Sequence, residues 1–361
     1  MPLSKIQDIG NQVIPNLGRR NLLINGAMKV AQRGTSFSTG SSTIYTLDRF
    51  QSATGSSFNF DLTLTQSTDT PTGFSNSLKV SPDSTQTPSG SQNGAIRYNI
   101  EAQDLQSLGY GSSDAKKITL SFYVKSNKTG TYSVQLIGYD GQNSCVATYT
   151  IDASNTWERK TITIDPDTSN AFANDNTLGI LMAWHLACGP DDIVSPNTSW
   201  GVATTGFRAG TGQVNFMDST SNEWYLTGVQ LEVGDSASDF EHRSFAEELS
   251  LCQRYFCGFT PETSTGVTHA GLMNLNNRTT TAKYSVVHFP VPMRIRPTVS
   301  YSGSLTAFSG GTSTGVTALS MNGSTGHSAE VEVTTSSNGT VGHGGWVRIL
   351  ANAYVHFDAE L

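Results

Sequence analysis

The chain has 361 residues, enough for two or three domains with cores of their own. Only 14% of them are charged, against about a quarter in ordinary globular domains, and Ser, Thr, Asn and Gly take their place. The net charge of −7 offers no basic footprint and excludes nucleic acid as an expected partner. The lack of any run of roughly 18 to 20 apolar residues excludes insertion into a membrane.

At the start of the chain, residues 1–20 carry Leu3, Ile6, Ile9 and Val13 at helical spacing until Pro15 and Gly18 interrupt it. A lone helix of this length is unstable in water, so the segment either frays or docks on another protein. Docking is the expectation, with these four residues as an anchor.

Residues 21–243 carry the signals of a β-sandwich. Phe58, Phe60, Leu62 and Leu64 alternate with polar residues, as do Ile118, Leu120, Phe122 and Val124, and then Tyr132, Val134 and Leu136. Asn25-Gly26, Asn93-Gly94 and Asp140-Gly141 supply turn chemistry beside these runs. No fixed-period repeat marks a β-helix or propeller. Near the end, Tyr225, Thr227, Val229, Leu231 and Val233 continue the two-residue period. Trp157 and Trp224, at strand starts, are assigned to the core.

After Gly234 the period becomes helical, and Phe245, Leu249, Cys252 and Phe256 form one apolar stripe on a connector helix from Ser244 to Phe256. Three copies around an axis would bury that stripe, which predicts a homotrimer. Residues 244–361 continue into a smaller β domain. In its last strand, Val347, Ile349, Ala351, Ala353, Val355 and Phe357 share one face, while Trp346, Arg348, Leu350, Asn352, Tyr354, His356 and Asp358 share the other. That mixed second face suggests burial against a partner chain, with Tyr354 beside the trimer contact. The predicted fold class is all-β: a jelly-roll-like β-sandwich followed by a short connector helix and a smaller C-terminal β domain that carries trimerisation and the distal tip.

Several segments resemble bacteriophage tail-fibre and related virion proteins: NLLINGAMKVAQRGTSF with YTLDRF, the strand ending in "QLE-G", then "FE-R" and "EL-LCQRY", "F-VPMR--PTV", and a terminal "ANAY--FDAEL". The "NLL-NG" start also resembles carbohydrate-binding modules with a jelly-roll fold. In those modules acidic residues near the corresponding stretches commonly hold a structural calcium. Here those stretches read Lys29 and Thr227-Gly228, so no metal is expected, and no cofactor. What the resemblance implies is a virion protein, assembled in the host cytoplasm and external on the particle, docked to another virion protein through its N-terminus. The apolar-poor start MPLSKIQDIGNQVIPNLGRR, without a secretory signal, agrees with that expectation.

The chain lacks GxSxG, HExxH, Walker A and Gly-rich dinucleotide motifs, so no catalytic residue and no enzymatic activity are expected. Asp191-Asp192 and Glu247-Glu248 are consecutive and cannot share a face as a glycosidase pair does. Asp191-Asp192 reads as loop, and Glu247-Glu248 as the polar side of the connector helix. His356, Asp358 and Glu360 read as a solvated or intersubunit edge. Cys145, Cys188, Cys252 and Cys257 read as reduced, mostly buried thiols. Aromatic residues in loops are the candidate ligand surface, because sugar rings stack on Trp and Tyr while their hydroxyls pair with amides and carboxylates. These are Trp200, in the loop from Gly189 to Thr205, and Tyr110, in SLGYGSSD; a Trp that pins its own loop to the core is the competing reading. The Gly/Ser/Thr-rich loops Ser309 to Val316 and Asn322 to Ser328, with Asn322 and His327, are the candidate distal contacts. The expected function is host attachment by a tail fibre through cell-surface glycan or protein. A head, neck or capsid-decoration fibre is the first alternative, and a polysaccharide-degrading enzyme the second.

Overall fold

The computed structural model describes residues 19–202, 209–261, 268–336 and 339–361. Leu3, Ile6, Ile9 and Val13 of the expected anchor lie outside the described residues, and so do residues 203–205 of the Trp200 loop. The chain is all-β and divides into two compact units that are not contiguous in sequence. The first takes the chain up to Met28, Ser36–Ile44 and Gln51–His242; the second takes Lys29–Thr35, Tyr45–Phe50 and Arg243–Leu361.

The first unit is a sandwich of two antiparallel sheets. One orders its strands Ser36–Ser38, Leu62–Ser67, Ser77–Pro82, Trp224–Val233, Ile118–Ser126 and Glu158–Ile164; the other runs Asn197–Val202, Asn143–Ile151, Gly130–Gly138, Leu178–Cys188, Asn93–Glu101, Phe50–Gly55 and Ile44–Tyr45. The alternating residues Ile118, Leu120, Phe122, Val124, Tyr132, Val134 and Leu136 are all fully buried. Phe122 crosses between the sheets and meets the rings of Tyr149 and Trp184 edge-on, at 5.1 and 6.0 Å. Asp140-Gly141 sits in the hairpin turn as read, but Asn93-Gly94 opens a strand, where a Cβ on Gly94 would strike the Phe60 ring.

The stripe expected along Trp224–Val233 is broken. Tyr225 and Thr227 lie opposite Lys125 and Tyr123, whereas Leu231 and Val233 lie opposite Leu120 and Ile118, which are core residues. Opposed residues share a face, so the strand changes phase between Thr227 and Gln230. The cause is a bulge at Gly228, whose φ of 61° is left-handed and suits glycine. The N-terminal segment is stapled to this bulge. Asn21 Nδ2 donates to the Val229 carbonyl at 3.0 Å, its Oδ1 accepts from Leu23 and Leu231, and Val229 donates to Gly26. A Cβ on Gly26 would fall 2.1 Å from the Val229 oxygen. The "QLE-G" and "FE-R" residues tie the same region together. Gln230 Nε2 donates to Glu232, Glu232 accepts from Ser238, and Glu241 accepts from the Asn21 backbone at 2.6 Å.

The second unit holds a closed six-stranded barrel in the order His269–Asn277, Ala282–His288, Ser328–Thr335, Thr312–Ser324, Leu305–Ser309 and Gly344–Leu350, and a three-stranded sheet of Phe256–Phe259, Tyr354–Asp358 and Thr298–Ser302. The expected single last strand is therefore two strands, split where Asn352 adopts φ 63°. Val347, Ile349, Ala353, Val355 and Phe357 are buried as read, whereas Ala351, expected on the same face, is exposed because it lies in the turn between the two strands.

The connector helix spans Phe245–Gln253, with Ser244 as its N-cap accepting from the Glu247 amide. Phe256 is not on it but begins a strand, and both Phe256 and Cys252 are buried inside this unit, so they are unavailable as a surface stripe. Leu249 is half-buried and Phe245 is 57% exposed. Glu248, read as part of the polar side of the helix, is buried beside Arg243 at 3.4 Å.

Candidate functional site

In the barrel, strand Gly344–Leu350 lies between His269–Asn277 and Leu305–Ser309. Its inward residues Val347 and Ile349 fill the core, so the two-residue period points Trp346 and Arg348 outward. On one side Trp346 is opposite Phe308 and Arg348 opposite Thr306; on the other, Trp346 is opposite Asn274 and Arg348 opposite Gly271.

Trp346 and Phe308 stack with centroids 5.2 Å apart and planes 9° from parallel. The Arg348 guanidinium sits 4.4 Å from the Phe308 ring centre and 5.9 Å from that of Trp346. A parallel stack contributes about 0.5–1.5 kcal/mol and an exposed cation–π contact about 0.5–1 kcal/mol, so the indole is held in place although it is 45% exposed. Phe308 supports it from one neighbouring strand. Toward the other neighbour it walls a pocket of 350 Å³ with Gly271, Leu272, Met273 and Asn274. A ladder shift between Gly271 and Met273 and the missing side chain of Gly271 keep the floor low, with open space where its Cβ would stand. A preorganised exposed indole and an amide at a shallow pocket, with a guanidinium on the same outward face beside it, are suited to a flat ring with polar edges.

Trp200 and Tyr110 are brought together, but as packing. Their rings meet at 5.8 Å, Tyr110 stacks on Phe172 at 5.5 Å, and Trp200 Nε1 donates to the Asp165 carbonyl at 2.9 Å. Tyr110 is buried, and burial pushes its phenol well above the usual range. Trp200, expected in a loop, lies on the edge strand Asn197–Val202, and its ring helps pin the Tyr110 loop to the sandwich. Trp157, assigned to the core, is only half-buried; its Nε1 donates to Asp69 and its ring lies 5.5 Å from the Lys125 ammonium.

Asn322 and His327 lie away from the Trp346 pocket. Asn322 belongs to the strand Thr312–Ser324 and reaches Glu330 and Glu332 at 3.4 Å. His327 is exposed in the short turn after that strand. The expected loop from Ser309 to Val316 is a tight hairpin: Gly310 and Gly311 turn it with φ 58° and 79°, and the rest is strand. Tyr354 is half-buried and stacks on His356 at 3.8 Å. His356, Asp358 and Glu360 form no open edge, because Arg33 pairs with both carboxylates at 3.1 and 3.3 Å.

The sandwich carries a groove of 440 Å³ lined by Thr148, Thr161, Thr163, Asn197 and Thr198 over Val146, Ile162 and Pro196. With no aromatic ring among its lining residues, it offers hydroxyl pairing but no stacking surface. Trp346 was visible in the sequence as an outward residue; Phe308 was not, since only the strand register places it opposite.

No protein-family model matches the chain, and no curated protein matches it. Among solved structures, the enzymatically active domain of tailspike protein 4 from bacteriophage CBA120 aligns over 55% of this chain at 14% identity and a TM-score of 0.29, and this chain spans 21% of its length. A family 11 carbohydrate-binding module from Clostridium thermocellum, solved with a β-1,3-1,4-mixed-linked tetrasaccharide, aligns over 58% of this chain and 98% of its own, at 12% identity and a TM-score of 0.28. The CBM22-1–GH10 modules of xylanase 10B from the same organism, complexed with xylohexaose, align over 58% and 29%, at 13% identity and a TM-score of 0.30. At TM-scores of 0.30 and below, none of these likenesses carries weight for the function of this chain.

Proposed function

We propose that the protein is an attachment protein of the tail-fibre type, external on a virion, that recognises cell-surface glycan by seating a sugar ring on Trp346. The observation that carries this reading is an indole 45% exposed yet fixed by Phe308 and flanked by Arg348 and Asn274 at a pocket. A solvent-facing Trp with no binding role would gain nothing from being held open in this way. The weakly charged Ser/Thr/Asn surface suits an exterior structural protein, and the segmental resemblance to tail fibres points the same way.

In this reading residues 1–20 dock on another virion protein, and a homotrimer presents three equivalent pockets. Linked weak sites then raise avidity by about two to four orders of magnitude without new contacts. The buried positions of Cys252 and Phe256 leave the exposed Phe245 as the part of the proposed stripe free to meet another copy. Binding proceeds without cleavage of the polymer.

The test is binding of the purified chain to immobilised bacterial surface polysaccharides, beside Trp346→Ala. Loss of about tenfold or more in affinity is expected for the removal of a central aromatic anchor. Equal binding by the variant would remove the pocket from the mechanism. Shortening of the polymer during incubation would replace attachment by an enzymatic role.

A further inference from the structure

We infer that the sugar seated on Trp346 carries a carboxylate, as a hexuronate does, and that Arg348 selects it. The inference rests on the proposed glycan site and goes beyond it to the ligand's charge. Arg348 is half-buried on the outer face of the barrel, and among the described residues its side chain makes no hydrogen bond and no ion pair; it meets only the Phe308 and Trp346 rings. At 4.4 Å from the Phe308 ring centre the guanidinium engages the ring through its charge, while its N–H donors have no protein acceptor among the described residues. Those donors form a fork matched to a carboxylate.

The fork lies beside the pocket, outside its lining of Gly271, Leu272, Met273, Asn274 and Trp346, on the same outward face as the indole. Gly271, directly across the ladder from Arg348, has no side chain, and nothing lies within 4 Å of where its Cβ would be. A pyranose stacked on the indole with an equatorial carboxylate at C5 presents that group at the rim of the ring, at the level of the stack. A phosphate on a sugar hydroxyl projects farther out, which favours the carboxylate. A neutral sugar leaves the fork to water, whereas a uronate gains charge-assisted hydrogen bonds, an advantage on the order of ten- to a hundredfold. Asn274, exposed at the opposite side of the same pocket, remains for the ring hydroxyls.

The experiment titrates the full chain with oligogalacturonate and glucuronate-containing oligosaccharides, and with the neutral galactose and glucose oligomers of the same linkage, by calorimetry. The uronates are expected to bind at least tenfold more tightly, and raising salt from about 0.05 to 0.5 M should erode that preference by screening while leaving the neutral sugars unaffected. Arg348→Gln, checked for folding by circular dichroism and melting, should bring the two series together; the salt series supplies the same test if that variant does not fold. Equal affinity of the two series in the unaltered chain overturns the inference and leaves the stacking site standing. No binding by either series overturns both.

Discussion

Arg49 and Glu360, 311 positions apart in the chain, form an ion pair inside the second unit with side chains only 1% and 3% exposed. Around it, Arg33 also reaches Glu360, the Arg49 guanidinium lies 3.5 Å above the Tyr255 ring, and Arg294 donates to the carbonyls of Ala359 and Glu360 at 2.7 and 2.6 Å. Gln32 and the buried Asp48 complete the group at 2.6 and 2.7 Å. Burial raises the Asp48 carboxyl, and the Arg33 charge offsets part of that rise.

Removing Glu360 leaves two shielded guanidinium groups without their shared carboxylate. Glu360→Ala should therefore destabilise the second unit by about 3–5 kcal/mol, the usual cost of breaking a buried pair on one side. Denaturant unfolding followed by the near-ultraviolet signal measures it. A loss below about 1 kcal/mol would show that the pair is solvated in solution.

This network joins several of the segments quoted for their resemblance, which the sequence alone does not connect. Leu47-Asp48-Arg49-Phe50, Cys252-Gln253-Arg254-Tyr255, Met293-Arg294 and Ala359-Glu360-Leu361 meet in one place. Nothing local in any of these segments marks a buried ion pair, and only tertiary pairing shows that their polar groups satisfy one another. Local periodicity found the sandwich strands at Phe122 and Val134 because their alternation depends on the pleat alone. It missed the Gly228 phase change, where a single inserted residue moves later side chains to the other face. It likewise joined two strands across Ala351-Asn352, since nothing in the alternation registers a turn. The Trp346 site was half visible: the outward ring is a local property, whereas its support from Phe308 and the open floor at Gly271 depend on neighbouring strands.

The Asn-Gly turn near the start of the sandwich makes two separable demands. Asn25 holds φ 60°, which Asn tolerates and Gly accepts without strain. Gly26 is limited by space, with a built Cβ only 2.1 Å from the Val229 oxygen at the bulge. Gly26→Ala should cost about 1–3 kcal/mol in the first unit, as overpacking does, while Asn25→Gly eases the left-handed backbone but removes a fully buried, partnered side chain and should also destabilise, by about 1–3 kcal/mol. Thermal melting of the two variants decides it, and a Gly26→Ala protein as stable as the parent would mean that the staple between Asn21 and Val229 is not formed.

Two histidines make both units sensitive to mild acid. Burial, with a smaller contribution from the Arg97 charge, lowers His185 to about 3; burial and then Arg33, partly offset by Asp358, lower His356 to about 4. In the unfolded chain both return to about 6.5. Between these values the unfolded state binds the extra protons, so the stability of the fold rises with pH. The contribution is fully present above about pH 6.5 and is lost as pH falls toward 4 in the second unit and 3 in the first. Each histidine can contribute at most about 1.4 kcal/mol per pH unit, and the partial exposure of His356 reduces its share through solvent screening. Asp48, raised by burial, opposes the trend in the same unit, so the histidine is isolated by difference. His356→Phe preserves a flat ring between Tyr354 and Phe256, whose centroids lie 3.8 and 4.8 Å away, and abolishes its titration. The second unit of that variant should lose less stability between pH 7 and 5 than the parent does, with the first unit unchanged. An identical pH slope in both proteins would mean that His356 is charged in the fold and that the packing against Tyr354 does not exclude water from its ring.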